Sequence, residues 1–127
     1  MFKTVLLLAA MFITGCATQL TAPQQEMLSK AKIPLTCTDK QQCDFYWQRA
    51  QVWVIQNSRY KIQTANDVLI QTYGSTDYYP GYTVTKDALM DGSARIKIDI
   101  YCLDMFGCKP RPWEAAIAFK DFIRNSQ

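Results

Sequence analysis

Cys16, Cys37, Cys43, Cys102 and Cys108 are the side chains in this sequence whose type and spacing point most directly to a chemistry. The last four fall into two pairs, Cys37 with Cys43 and Cys102 with Cys108, each enclosing five residues. In an exported chain such an even set reads as disulfides. Zinc is the competing chemistry, but its ligand pairs usually sit closer, as in C-x2-4-C, and the chain has no histidine to complete a mixed site. The missing histidine also removes Ser-His and Cys-His nucleophile pairs. Asp67, Asp77, Asp87, Asp91, Asp99, Asp104 and Glu114 fall mostly in expected turns or on a wet strand face, with no spacing that marks two of them as an acid/base pair. Gly74, Gly81, Gly92 and Gly107 stand singly, so no phosphate-cradling loop is present. The expectation is a protein that is not an enzyme and takes no cofactor and no metal.

Cys16 belongs to a different chemistry. Lys3 precedes an apolar run over 5–12, and Ile13-Thr14-Gly15 follows it, which gives the charged start, short apolar stretch and small-residue cleavage site of an export signal. The run is well short of the roughly 20 residues that span a bilayer. Ile13-Thr14-Gly15-Cys16 resembles the lipobox of bacterial lipoprotein precursors. The resemblance implies cleavage before Cys16, acylation of its sulfur and a membrane anchor made of lipid. Ala17, rather than Asp, implies forwarding to the outer membrane, with the protein facing the periplasm. The expected organisation is a signal peptide over 1–15, a lipidated tether over 16–36 and one domain over 37–127. A formal net charge of +3 is too small to argue for nucleic acid as a partner. With 49% hydrophobic residues, the chain is not a disordered segment.

The elements that position these residues follow from periodicity. In the tether, Pro23 opens at most a short helix with Met27, Leu28 and Ala31 on one face, and Pro34 ends it. Thr38-Asp39-Lys40-Gln41 has the form of a capping box. Behind it Cys43, Tyr46, Trp47, Ala50, Trp53 and Val54 recur at helical spacing to about residue 57. Phe45 and Val52 fall on the opposite face, where the tether is expected to cover them. Strand-like stretches follow over 60–64, 68–73, 82–89 and 94–103, the last alternating Ile96, Ile98 and Ile100 with charged residues. A three-residue Met90-Asp91-Gly92 loop, with Gly92 left-handed, pairs Ile98 with Val84 and Ile100 with Tyr82; a two-residue loop would put polar residues on the core face. Pro112 suits the first turn of a last helix, with Ala115, Ala116, Phe119, Phe122 and Ile123 on one face and Lys120 and Arg124 off it.

The expected fold is therefore α+β: a four-stranded antiparallel meander with two helices packed on one face, in the order α-β-β-β-β-α. This order, with the stretch from Tyr46-Trp47 through Ala50, Trp53 and Ile62 to Ile70, resembles the TATA-binding-protein-like or helix-grip arrangement of small bacterial envelope domains. The resemblance implies a fold and no functional residue. In this layout a first helix of about 18 residues, about 27 Å long, separates Cys43 from Cys102, so the pairing is local, Cys37 with Cys43 and Cys102 with Cys108. The turn carrying Tyr78 and Tyr79 comes to the same end of the sheet as the loop carrying Met105 and Phe106. Lys109, Arg111 and Trp113 join them at the entry to the last helix. These seven residues are the candidate binding surface. The functional expectation is a lipid-anchored, non-enzymatic accessory that docks on an envelope protein, with a small-ligand or glycan-binding module using the Tyr-rich loop as the alternative.

Overall fold

The computed structural model describes residues 19–125; the expected signal over 1–15 and the acylation residue Cys16 lie outside the described residues. The chain runs α1 (Ala22–Lys32), β1 (Leu35–Cys37), α2 (Lys40–Asn57), β2 (Ile62–Ala65), β3 (Leu69–Thr72), β4 (Gly81–Ala88), β5 (Ala94–Tyr101) and α3 (Pro112–Arg124). It is an α+β fold on a five-stranded antiparallel sheet in the order β1-β5-β4-β3-β2. The expected meander is contained in it as β2 to β5, preceded by α2 and followed by α3. The expectation of four strands and two helices is corrected by α1, which lies within the stretch read as a tether, and by β1, which crosses from its end into Cys37. The signal was weak there for a physical reason: α1 buries no residue fully, and β1 is three residues long.

Register follows the turn chemistry. Gly92 takes φ 86°, and Tyr82 pairs with Ile100 and Val84 with Ile98, as the three-residue loop requires. One sheet face then carries Leu35, Ile70, Tyr82, Val84 and Ile96 against Trp47, Ala50, Trp53 and Val54 of α2 and Ala115, Phe119 and Ile123 of α3. Trp53 stands edge-on to Tyr82 at 5.1 Å and to Phe119 at 5.3 Å, tying both helices to the sheet. The Arg49 guanidinium lies 3.9 Å over the Phe122 ring, a second link between α2 and α3.

The α2 cap sits one residue later than expected. Asp39 is the N-cap and accepts from Gln42 N at 2.8 Å, while Thr38 donates its N–H and hydroxyl to Gln42 Oε1 at 2.8 and 3.0 Å. Asp is as good a cap as Thr, and shifting by one lets Gln42 reach back to the preceding backbone. The cysteines pair locally as expected, Cys37–Cys43 with Cα atoms 5.1 Å apart and Cys102–Cys108 at 5.6 Å.

The expected cover over Phe45 and Val52 is also corrected. Phe45 stays 42% exposed, Leu35 is buried in the core, and α1 lies against α3. Lys120 explains this docking. Placed off the apolar face by periodicity, it is 5% exposed. Its ammonium donates to Lys30 O, to Ala31 O at 3.0 Å and to Ile33 O at 2.7 Å. These carbonyls end α1, where unpaired acceptors and the negative end of the helix dipole attract a cation. Burial pulls the Lys120 ammonium below the usual lysine value.

Candidate functional site

The strand ends at Tyr101 carry the candidate surface, opposite the end where Cys37 pairs with Ala94. β5 runs for eight residues between them, about 25 Å at strand rise. Two loops meet there. Lys109 N donates to Tyr78 O at 2.8 Å, and Leu103 N to Asp77 O at 3.0 Å, so the turn after β3 and the disulfide-closed loop after β5 form one tip.

Ser75 joins the two loops. It is buried, its hydroxyl is 2.6 Å from Tyr79 O and 2.9 Å from Asp77 O, and it accepts from Leu103 N at 3.3 Å. Asp77 is the second anchor, accepting from the Tyr60 hydroxyl at 2.6 Å and from Tyr79 N at 2.8 Å. These two bonds, with Arg59 nearby, hold its carboxyl below the ordinary aspartate value. Thr72, where β3 ends, accepts from Tyr82 N at 3.0 Å and so continues the ladder with its side chain at the base of the tip.

Tyr79 is committed to the tip itself. The Tyr78 ring lies 4.4 Å from it and the Arg59 guanidinium 4.4 Å over it. Tyr78 is raised above its ordinary phenol value, first by the hydrogen bond it donates to the Tyr79 hydroxyl at 3.3 Å. Met105 and Phe106 behave differently: at 90% and 92% exposure they stand in solvent. The loop holds Phe106 through Phe106 N, which donates to Asp104 Oδ1 at 2.7 Å, and through the left-handed Gly107 at φ 97°.

Two hollows flank the turn through Lys109 and Pro110. One, of about 470 Å³, lies among Arg59, Tyr79, Pro80 and Lys109. The other, of about 670 Å³, lies among Phe106, Lys109, Arg111, Trp113 and Glu114. The structure thus splits the seven expected residues into two groups, with Tyr79 and Lys109 on one hollow and Phe106, Lys109, Arg111 and Trp113 on the other. Tyr78 borders the first through Tyr79, and Met105 lines neither. Sequence reasoning missed Arg59, although its place in the short link after α2 already put it at this end. It also missed Ser75, whose importance lies in burial and not in its residue type.

Among the described residues no cluster of His, Cys, Asp or Glu is arranged to hold a metal, and no helix is long and apolar enough to cross a membrane. Both hollows bring cationic and aromatic side chains together. Comparison with known proteins found no family model, no curated protein and no solved structure that matches this chain.

Proposed function

We propose that the protein is exported, acylated at Cys16 and held at the outer membrane facing the periplasm, where its domain serves as a non-enzymatic docking module of an envelope assembly. The anchor reading is supported by Ile13-Thr14-Gly15-Cys16 and is compatible with two disulfides in a small chain. One observation carries the docking reading: Met105 and Phe106 are 90% and 92% exposed on a loop closed by Cys102–Cys108. A loop that merely closed the core would turn its phenylalanine inward, whereas exposed apolar side chains beside polar ones mark contact surfaces. Lys109, Arg111 and Trp113 supply the cationic and indole groups that partners anchor on. Such a module needs neither cofactor nor metal. The meander with α2 and α3 is read as a helix-grip-like core to which α1 and β1 are added.

A photo-crosslinking residue in place of Phe106, activated in living cells, tests the docking reading. One protein captured in a unique adduct supports it. Recovery of a glycan or small ligand in its place replaces it with a ligand-binding module. Intact mass of the membrane-extracted protein tests the anchor: an acylated species beginning at Cys16 is expected, and an unacylated one, or one that keeps Lys3, removes it.

A further inference from the structure

Among the described residues, the outer edge of β5 is covered over only part of its length. β1 pairs with Ala94, Arg95 and Ile96, while β5 runs on to Tyr101. Leu89 N donates to Ser93 O at 2.8 Å and Lys86 N to Val68 O at 2.9 Å, which fixes the ladder's alternation: odd-numbered residues of β5 bond to β4. The N–H and C=O groups of Ile98 and Ile100 therefore point outward, along the edge that β1 begins to cover. The chain that would continue β1 backwards is diverted, because Ile33 caps α1 and hands its carbonyl to Lys120. Ile96, beneath β1, is 1% exposed, whereas Ile98 and Ile100, on the same core face, are only half-buried. They line a groove of about 320 Å³ between the end of α1 and the start of α3, walled by Leu28, Ile33, Trp113 and Ala116.

We propose that this edge is a strand-acceptor site. An extended peptide segment of a partner protein, apolar at alternate positions, pairs antiparallel to β5 opposite Ile98 and Ile100 and lays its inward side chains in the groove. Two observations select this occupant. The edge offers paired backbone donors and acceptors at strand spacing, which a peptide matches and a lipid chain does not. The pairing also continues an interface that β1 already makes in the same column. A second copy fits poorly. Pairing two β5 edges over the whole of 97–101 centres on Asp99 and places two carboxylates directly opposite each other, and registers that avoid this shorten the pairing. The site shares Trp113 with the tip and does not depend on docking there.

Hydrogen exchange by NMR on the full chain, with octapeptides selected on it from a displayed random library, tests the proposal. In the free protein the Ile98 and Ile100 amides should exchange fast and those of Lys97 and Asp99 slowly. Bound peptide should slow Ile98 and Ile100 at least tenfold. N-methylation of the peptide at alternate residues should weaken binding at least tenfold, with little effect at the residues between. The proposal is overturned if Ile98 and Ile100 are already slow in the free monomer, if no selected peptide slows them, if N-methylation shows no alternation, or if protein concentration alone protects them, which would signify a second copy.

Discussion

Lys120 carries more of the fold than its residue type announces. Three carbonyls of the α1 terminus share its ammonium, and hydrogen bonds to a charged group are worth about 1.5–3 kcal/mol. Lys120→Met keeps the stem and removes the donors, taking them from Ala31 O and Ile33 O, while Lys30 O still accepts from Ile33 N at 3.3 Å. It should lower stability by about 1–3 kcal/mol and speed amide exchange across α1, both read from melting and exchange on the same sample. Tyr82 ties stability to alkaline pH. Burial pushes its phenol from 10.0 up to about 12, so the stability it contributes is intact below pH 10 and declines as pH rises through about 12. The loss at completion is about 2–3 kcal/mol. Of the seven tyrosines, Tyr82 should ionise last or only on unfolding in an absorbance titration, with Tyr78 also raised; seven ordinary titrations would contradict the burial of Tyr82.

At the scale of elements, β1 and α1 convert a stretch that reads as a tether into part of the domain. Leu35 is almost wholly buried opposite Ile96, so Leu35→Ala should cost about 2–5 kcal/mol, measured by denaturant unfolding. Leu20, exposed ahead of α1, should tolerate the same change within about 0.5 kcal/mol. Equal effects at the two positions would return β1 to the status of linker. Patterning could find α2, the four strands of the meander and α3, because each buries a face and so repeats its apolar residues at a fixed period. A three-residue strand has no period to read. The docking of α1 is invisible for another reason: Lys120 anchors it through helix carbonyls, and the thin face of Met27, Leu28 and Ala31 does not say which element it meets.

For the whole molecule, the two ends of the sheet divide the work. The end at Cys37–Cys43 joins β1, α2 and β5 around Cys37, Cys43 and Ala94, and the far end carries the aromatic and cationic tip. If the tip is a working surface, Met105→Ala and Phe106→Ala should leave stability within about 0.5 kcal/mol, because neither side chain is packed, yet abolish crosslinked partner capture. Ser75→Ala should do the opposite first, lowering stability by about 1–3 kcal/mol by stripping a buried hydroxyl's partners. A melting loss in the Phe106 variant as large as that in the Ser75 variant would make the tip a structural plug.

The sequence by itself determined the α+β class, the meander with its register around Gly92, both disulfide pairings and the gathering of Tyr78, Tyr79, Met105 and Phe106 at one end, all of which follow from local period, turn chemistry and chain direction. Only the tertiary structure decided that β1 closes one edge of the sheet for three residues and, among the described residues, leaves the rest of β5 open, that Lys120 is buried, that Asp39 and not Thr38 caps α2, and that Phe106 stands free while Tyr79 is stacked. Each of these depends on which groups meet across long sequence separations, and neither residue type nor spacing records such a meeting when one partner is a backbone carbonyl or an unpaired strand edge.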